Sequence, residues 1–204
     1  MRAVVIVQAT RRKQARPSPA WQLYRGSQQL LVQAGLRAVW ERYGFRQGID
    51  EVVLSPWHGP VTPDRVLEAY DFSWKGRSRA ELAVLVRERA VVERLQQCVK
   101  GADMVLVLLS KTYLAPLGMQ GWVPATAPQR WLFFASGEGL PHVPAAATVR
   151  YIPAGMPEAR AERVKVLDLK AHLFHRLCLE VAEEGAGALE RWWAMSIPVR
   201  PRHK

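Results

Sequence analysis

The sequence predicts an α/β fold, a mostly parallel sheet flanked by helices. Three observations predict it. Short apolar runs of strand length alternate with helical patterns along the chain. The first run, Ala3-Val4-Val5-Ile6-Val7, is apolar without interruption, as a strand covered on both faces requires. Helix start and stop signals lie between the runs, so the crossovers have room for helices.

Ala3–Gln8 is the first and central strand. Arg11–Tyr24 is a loop punctuated by Pro17 and Pro19. A helix opens at Ser27, read as its N-cap, and runs to about Tyr43 before Gly44 stops it. Leu30, Leu31, Ala34, Ala38 and Val39 mark its expected buried face. Glu51–Ser55 is a second strand, and Pro56–Lys75 is irregular. Ser78 and Glu81 fit a capping box that opens one helix to about Val99. After Gly101, Asp103–Leu109 is a third strand. Lys111–Pro128 is broken by proline and glycine, and Trp131–Ala135 is a fourth strand. Val149–Ile152 is a fifth, followed by a break at Pro153–Pro157. Asp168–Glu184 is a helix with Leu169, Leu173, Leu177 and Val181 on one face. Trp192 and Trp193 then pack back on the body, and the terminal VRPRHK frays. The expected organisation is an α/β core over residues 1–155 with a helical extension, 156–204, packed on it.

A chain of 204 residues can bury a core without disulfide staples. Cys98 and Cys178 sit in apolar helical patterns and read as small buried hydrophobes in a reducing compartment. A five-residue apolar run followed by arginines does not make a signal peptide, and no run approaches the length of a membrane span. The expectation is a cytoplasmic protein with no membrane partner. No cysteine or histidine spacing suits zinc, and His172 and His175 have no third ligand in view. Neither a metal nor a cofactor is expected.

Charge is the strongest global signal. Twenty-nine Lys and Arg oppose 18 Asp and Glu, a net +11. Residues 1–50 alone hold nine cations against two anions, and Arg200–Lys204 adds three cations. Such clustering reads either as a solubilising surface or as the footprint of a polyanion, whose counterions it releases on binding.

In sheets of this type ligands bind beyond the carboxyl ends of the strands. Three loops are expected there. The first carries Thr10, Arg11, Arg12, Lys13 and Arg16, suited to phosphate oxygens, with the aromatic pair Trp21 and Tyr24. Its alternative is a solvated charge run. The second gathers Ser55, Trp57, His58, Asp64, Glu68, Tyr70 and Asp71. There Trp57 and Tyr70 suit base stacking, and His58 is either a proton carrier or a structural residue. Asp64 either serves as an acid or simply opens a turn after Pro63. Ser55, His58, Asp64 and Asp71 are the candidates for catalysis, with no role assigned among them. The third loop offers Ser110 and Lys111 to an anion and Tyr113 as a pocket wall, or else is a plain strand-to-helix cap. The Ser136–Leu140 segment SGEGL lacks the Lys-Ser/Thr of a P-loop and the third glycine of a dinucleotide fingerprint.

Taken together, these loops resemble a family of uncharacterised bacterial and phage proteins. In that family a first strand ends in Cys-Ser-Lys-x-Lys. A Pro-Ala-x-Ala-x-x-Leu-Tyr-x-Gly segment follows, then Leu-Ser-Ala-Lys-Tyr-Gly-Leu, a proline with an acid, and Pro-Tyr-Asp. Here Ala9-Thr10-Arg11-Arg12-Lys13 stands at the first motif and Pro17-Ser18-Pro19-Ala20 with Leu23-Tyr24-Arg25-Gly26 at the second. Leu54-Ser55-Pro56-Trp57-His58-Gly59-Pro60 stands at the third, with Pro63-Asp64 and Ala69-Tyr70-Asp71 after it. VLLSKTYLAPL is similar to the family's later strand-plus-tyrosine segment, so the likeness spans roughly residues 3–117. The family is itself similar to the YaaA-like peroxide-stress proteins, which bind DNA. More distantly it resembles a domain of archaeal enzymes that modify 7-deazaguanine in tRNA. The resemblance implies a fold reminiscent of uracil-DNA glycosylases and a nucleic-acid partner, DNA ahead of RNA.

This chain departs from the pattern at Ala9, Thr10 and Arg11, and at Pro56-Trp57-His58 where the family has Ala-Lys-Tyr. Arginine keeps its charge and cannot act as nucleophile or proton carrier in place of lysine. The chain reads as a divergent member that keeps anion binding. The expected function is nucleic-acid binding. The alternatives are an enzyme on a nucleobase or nucleotide, by N-glycosidic cleavage or base exchange, and a protein-interaction subunit docking through its Trp-rich C-terminal part.

Overall fold

Continuously apolar strands need cover on both faces, and two layers of helices supply it. The computed structural model describes residues 1–124 and 128–200. In chain order the elements are β1 (Ala3–Gln8), β2 (Ser18–Pro19), α1 (Ala20–Leu23), α2 (Ser27–Tyr43), β3 (Ile49–Ser55), β4 (Gly59–Val61) and β5 (Val66–Leu67). Then come α3 (Arg79–Glu88), α4 (Val91–Val99), β6 (Met104–Val107), α5 (Lys111–Gly118), β7 (Arg130–Ala135) and β8 (Val149–Pro153). The chain ends with α6 (Met156–Ala161), α7 (Leu169–Glu184), α8 (Ala186–Met195) and β9 (Ile197–Pro198).

The main sheet runs β4-β3-β1-β6-β7-β8-β9, with β4 and β9 antiparallel at its edges and the five strands between them parallel. Those five strands, numbered along the chain, lie in the order 2-1-3-4-5 of a doubly wound sheet. The order reverses between β1 and β6, so their carboxyl ends flank a switch point. Alternation along β1 divides the core. Val5 and Val7 join Val32, Leu36, Leu173, Leu177 and Trp192 on one side. Val4 and Ile6 join Leu82, Val86, Leu95, Tyr113 and Leu117 on the other. The residues after 155 therefore share the first of these cores, and β9 pairs with β8 at the sheet's edge. Among the described residues no helix is long and apolar enough to cross a membrane.

Several local expectations change. On α2, Leu30 is 42% exposed and Ala34 is exposed, while Gln29 and Gln33 are buried. The face is turned because both amides find partners: Gln29 Nε2 donates to Glu51 Oε1 at 2.7 Å, and Gln33 Nε2 donates to the Trp21 carbonyl. The N-cap is Gly26, with Ser27 as the first helical residue. The single helix expected from Ser78 is broken at Ala90, a non-glycine at φ +46°, although its capping box forms as expected. Lys111–Gly118 is helical despite Pro116, which falls late in a helix of only two turns. The loop Arg11–Tyr24 contains β2 and α1, and β2 pairs with β5 from the segment expected to be irregular. The expected break at Pro153–Pro157 opens α6, with Pro157 in its first turn. Cys178 is buried and Cys98 only half-buried; both are free thiols. At the C-terminus Val199 donates its N–H to the Val149 carbonyl at 3.3 Å, and residues 201–204 of the tail expected to fray lie outside the described residues.

Candidate nucleic-acid interface

The tip of β1 turns back on itself. Arg25 N donates to Arg12 O at 2.8 Å and Gln14 N to Leu23 O at 2.9 Å, so Arg12–Gln14 runs antiparallel beside Leu23–Arg25. Thr10 Oγ1 ties the turn by accepting the Gly26 N–H at 3.1 Å. Only glycine fits at Gly26, because a Cβ there would lie 2.7 Å from Thr10 Cβ. The ladder places Lys13 inward, while Arg11, Arg12 and Arg16 stay exposed.

The tip of β3 is a turn rich in carbonyls and poor in donors, because Pro56 and Pro60 have no N–H. Ser55 closes it from inside. Its buried Oγ accepts the N–H groups of Trp57 (3.2 Å) and His58 (3.0 Å) and donates to the Tyr70 hydroxyl at 2.8 Å. Gly59, at φ +70°, returns the chain into β4. Donors reach the turn's carbonyls from both sides of the Ala90 break. Arg89 Nη1 donates to Pro56 O at 2.9 Å and to Trp57 O. Arg94 donates to His58 O at 2.9 Å and Pro60 O at 2.8 Å, and Trp74 Nε1 also reaches Pro56 O, at 3.1 Å. Sequence reading missed Arg89, Arg94 and Trp74. The signal for them was a proline turn with too few donors of its own, which buried carbonyls do not tolerate.

The two tips meet at Tyr70. Its hydroxyl lies 3.1 Å from that of Tyr24, and the Lys13 ammonium sits over its ring at 4.1 Å. The His58 ring packs edge-on against the same ring at 5.2 Å. Burial raises the pKa of Tyr24, Tyr70 and Tyr113, so all three phenols are neutral donors at physiological pH. Burial also lowers the Lys13 pKa, with nearby Asp71 opposing the shift. His58 is pushed down first by burial and then by Arg65, Arg89 and Arg94, so its ring is neutral at pH 7. Its buried Nε2 has no hydrogen-bond partner. Arg65, Arg89 and Arg94 thus all lie close enough to this imidazole to disfavour its charged form.

Outside the hydroxyl cluster stands an aromatic ladder. Trp57, 47% exposed, meets Phe72 edge-on at 5.3 Å. The Arg89 guanidinium lies 4.9 Å from the Trp57 ring, and Arg77 lies 4.5 Å from Phe72. Among the described residues, Arg11, Arg12, Arg16, Arg65, Arg77 and Arg89 form no ion pair with a carboxylate.

The other candidates sit differently. Tyr24 is fully buried and Tyr113 packs on buried Trp74 at 4.9 Å, so both are walls and not stacking platforms. The Trp21 N–H donates to Pro63 O at 3.1 Å, and its ring is half-buried. Asp71 and Glu68 are exposed, and Asp71 lies near Lys13. Asp64 is held by Arg46 at 3.2 Å, and Arg46 also clasps Asp50 at the opposite end of β3. Lys111 lies 3.8 Å from Glu138, over a separate crevice. Ser55 has no base beside its Oγ, because its contact with His58 runs through the backbone N–H. No group of three or more potential metal ligands occurs among the described residues. Comparison with known proteins finds no family model, no curated protein and no solved structure that matches this chain.

Proposed function

We propose that the protein binds nucleic acid, DNA ahead of RNA, on the face made by the tips of β1 and β3. The observation that carries this reading is Trp57, half-exposed on a turn pinned by seven hydrogen bonds with Ser55, Arg89, Arg94 and Trp74, amid cations without carboxylate partners. An aromatic ring of this kind offers a stacking surface to any base, and free guanidiniums suit phosphate oxygens. The motif resemblance of the same loops to proteins related to DNA binders supports the choice of partner. Binding is favoured over catalysis because the Ser55 hydroxyl is engaged in three hydrogen bonds that close a turn.

The test is a salt titration of binding to duplex DNA and to RNA of the same sequence. If four of the loop cations contact duplex phosphates, the log–log slope is roughly −3.6, at about −0.9 per contact. Changing Arg11, Arg12, Lys13 and Arg16 together to alanine flattens that slope and weakens binding to all sequences alike. No measurable binding at low salt, or a slope indifferent to the quadruple change, overturns the proposal.

A further inference from the structure

The switch point between β1 and β6 opens into a crevice of about 1030 Å³ that the proposed interface does not use. It spans the carboxyl ends of β1, β6, β7 and β8 and lies beside the first turn of α5. Its walls are largely apolar, including Leu140, Tyr151, Met156 and Val166. Toward its floor is Lys170, on α7. Lys170 Nζ donates to Leu109 O at 2.6 Å, which leaves two of its three N–H donors without a protein partner among the described residues. Gln8 and Gln28 lie beside it, and Gln8 Oε1 accepts the Ser110 N–H at 2.8 Å. Lys111 and Glu138 face each other at the rim, both exposed. The Glu158 carboxylate caps α6 by accepting the Gly155 N–H at 2.9 Å. Asp168, two residues before Lys170 in the chain, accepts the Ser27 hydroxyl at 2.6 Å. None of these carboxylates forms an ion pair with Lys170 among the described residues.

From this arrangement we infer that the crevice is a second site, one that takes a small anion, a carboxylate or phosphate monoester, carried on an apolar or aromatic body. The anionic group meets the free donors of Lys170, and the body lies against Tyr151, Met156 and Val166. A volume of this size encloses most of a small molecule, and a few convergent polar groups on apolar walls are the usual chemistry of such sites. An ammonium that has lost much of its water binds an anion better than a solvated one does. Burial alone brings the Lys170 pKa down to about 8, so the charge it needs is present at neutral pH and fades above it. The site does not depend on nucleic-acid binding.

The experiment is calorimetric titration of the full chain with phenyl phosphate and with phenylacetate, using inorganic phosphate as the control without a body. Saturable binding of either aromatic anion is expected, at least tenfold tighter than inorganic phosphate and weakening as pH rises from 7 to 9.5. The phosphate and carboxylate arms show which anionic group the site prefers. Lys170→Met should cut affinity tenfold or more. Because that change alters a largely buried residue, Gly137→Glu serves as the second variant. A Cβ at Gly137 meets nothing within 4 Å, so the fold tolerates the side chain, while its carboxylate at the rim repels the ligand. Gly137→Glu should lower affinity at least fivefold with the thermal midpoint unchanged. The inference is overturned if neither probe binds saturably up to about 10 mM, or if a folded Gly137→Glu protein binds as the parent does.

Discussion

On the outer face of α7 and α8 the cations have partners. Arg176 lies 2.9 Å from Glu162, Arg191 meets both Glu180 and Glu184, and Arg130 is clasped by Glu190 at 2.6 Å. At the tips of β1 and β3 they do not: Arg77 and Arg89 lie on aromatic rings, Lys13 covers Tyr70, and Arg11, Arg12 and Arg16 project into solvent. Residues 1–50 are strongly basic, whereas along α7 and α8 the carboxylates outnumber the cations. The structure separates the two regions, because a guanidinium already paired with a carboxylate has little left to offer a phosphate. On the proposed reading, the absence of carboxylate partners, more than the number of cations, marks the strand-tip face as the one to test against a polyanion.

Two carboxylates, one buried in β3 and one on the paired face, titrate in opposite senses, and this gives the largest expected effect on stability. Near the amino end of β3, fully buried Glu51 has its pKa raised from 4.5 to about 7, chiefly by desolvation and against the hydrogen bond from Gln29. The folded form holds this proton more tightly than the unfolded chain does. Its contribution is therefore complete below pH 4.5 and is lost as pH rises toward 7. Glu51→Gln should add up to about 3 kcal/mol above pH 7 and little at pH 4, read from urea unfolding. Glu190 behaves in reverse: the Arg130 hydrogen bond lowers its pKa, so its contribution holds at neutral pH and fades in acid. Equal gains for Glu51→Gln at both pH values would remove the contrast.

Next in size is Ser55→Ala. It leaves the Trp57 and His58 N–H groups without their acceptor, at about 1–3 kcal/mol of stability. Trp57→Ala separates stability from binding. The ring is half-exposed, so unfolding should change little, while affinity for single-stranded DNA falls by about 1–3 kcal/mol with an unchanged salt slope. A parallel loss of stability would make Trp57 a structural residue. The smallest effect belongs to the paired face. Arg191→Ala should cost less than about 1 kcal/mol, since exposed ion pairs are well screened, and should leave nucleic-acid affinity nearly as it was.

Most strands were legible because a strand covered on both faces is largely apolar, and β1, β6 and the Trp131–Ala135 run of β7 announce themselves in that way, while β3 carries Asp50 and Glu51 at its start. The turned face of α2 was not. Gln29 and Gln33 look like surface residues until their partners, Glu51 and the Trp21 carbonyl, are brought alongside by the fold. The break at Ala90 has the same origin: Arg89 and Arg94, on either side of it, both reach carbonyls of the β3 turn more than thirty residues away. At the candidate site, Lys13, Ser55, His58, Trp57 and Tyr70 were singled out from their places at strand ends, and the fold gathers them. Asp64 and Lys111 carried the same kind of signal, yet they lie with Arg46 and Glu138. Sequence position says that a residue leaves a strand tip, and only the path of the loop decides which neighbour it meets.

The most direct measurement compares two double variants of equal charge change, Arg11 and Arg12 to alanine in one and Arg176 and Arg191 to alanine in the other, in salt titrations on one DNA duplex. If the unpaired cations are the interface, the first pair flattens the log–log slope by about 1.8, at about 0.9 per lost contact, and the second leaves it unchanged. Equal flattening by both would contradict the account, because nucleic acid would then respond to net charge and not to the strand-tip face.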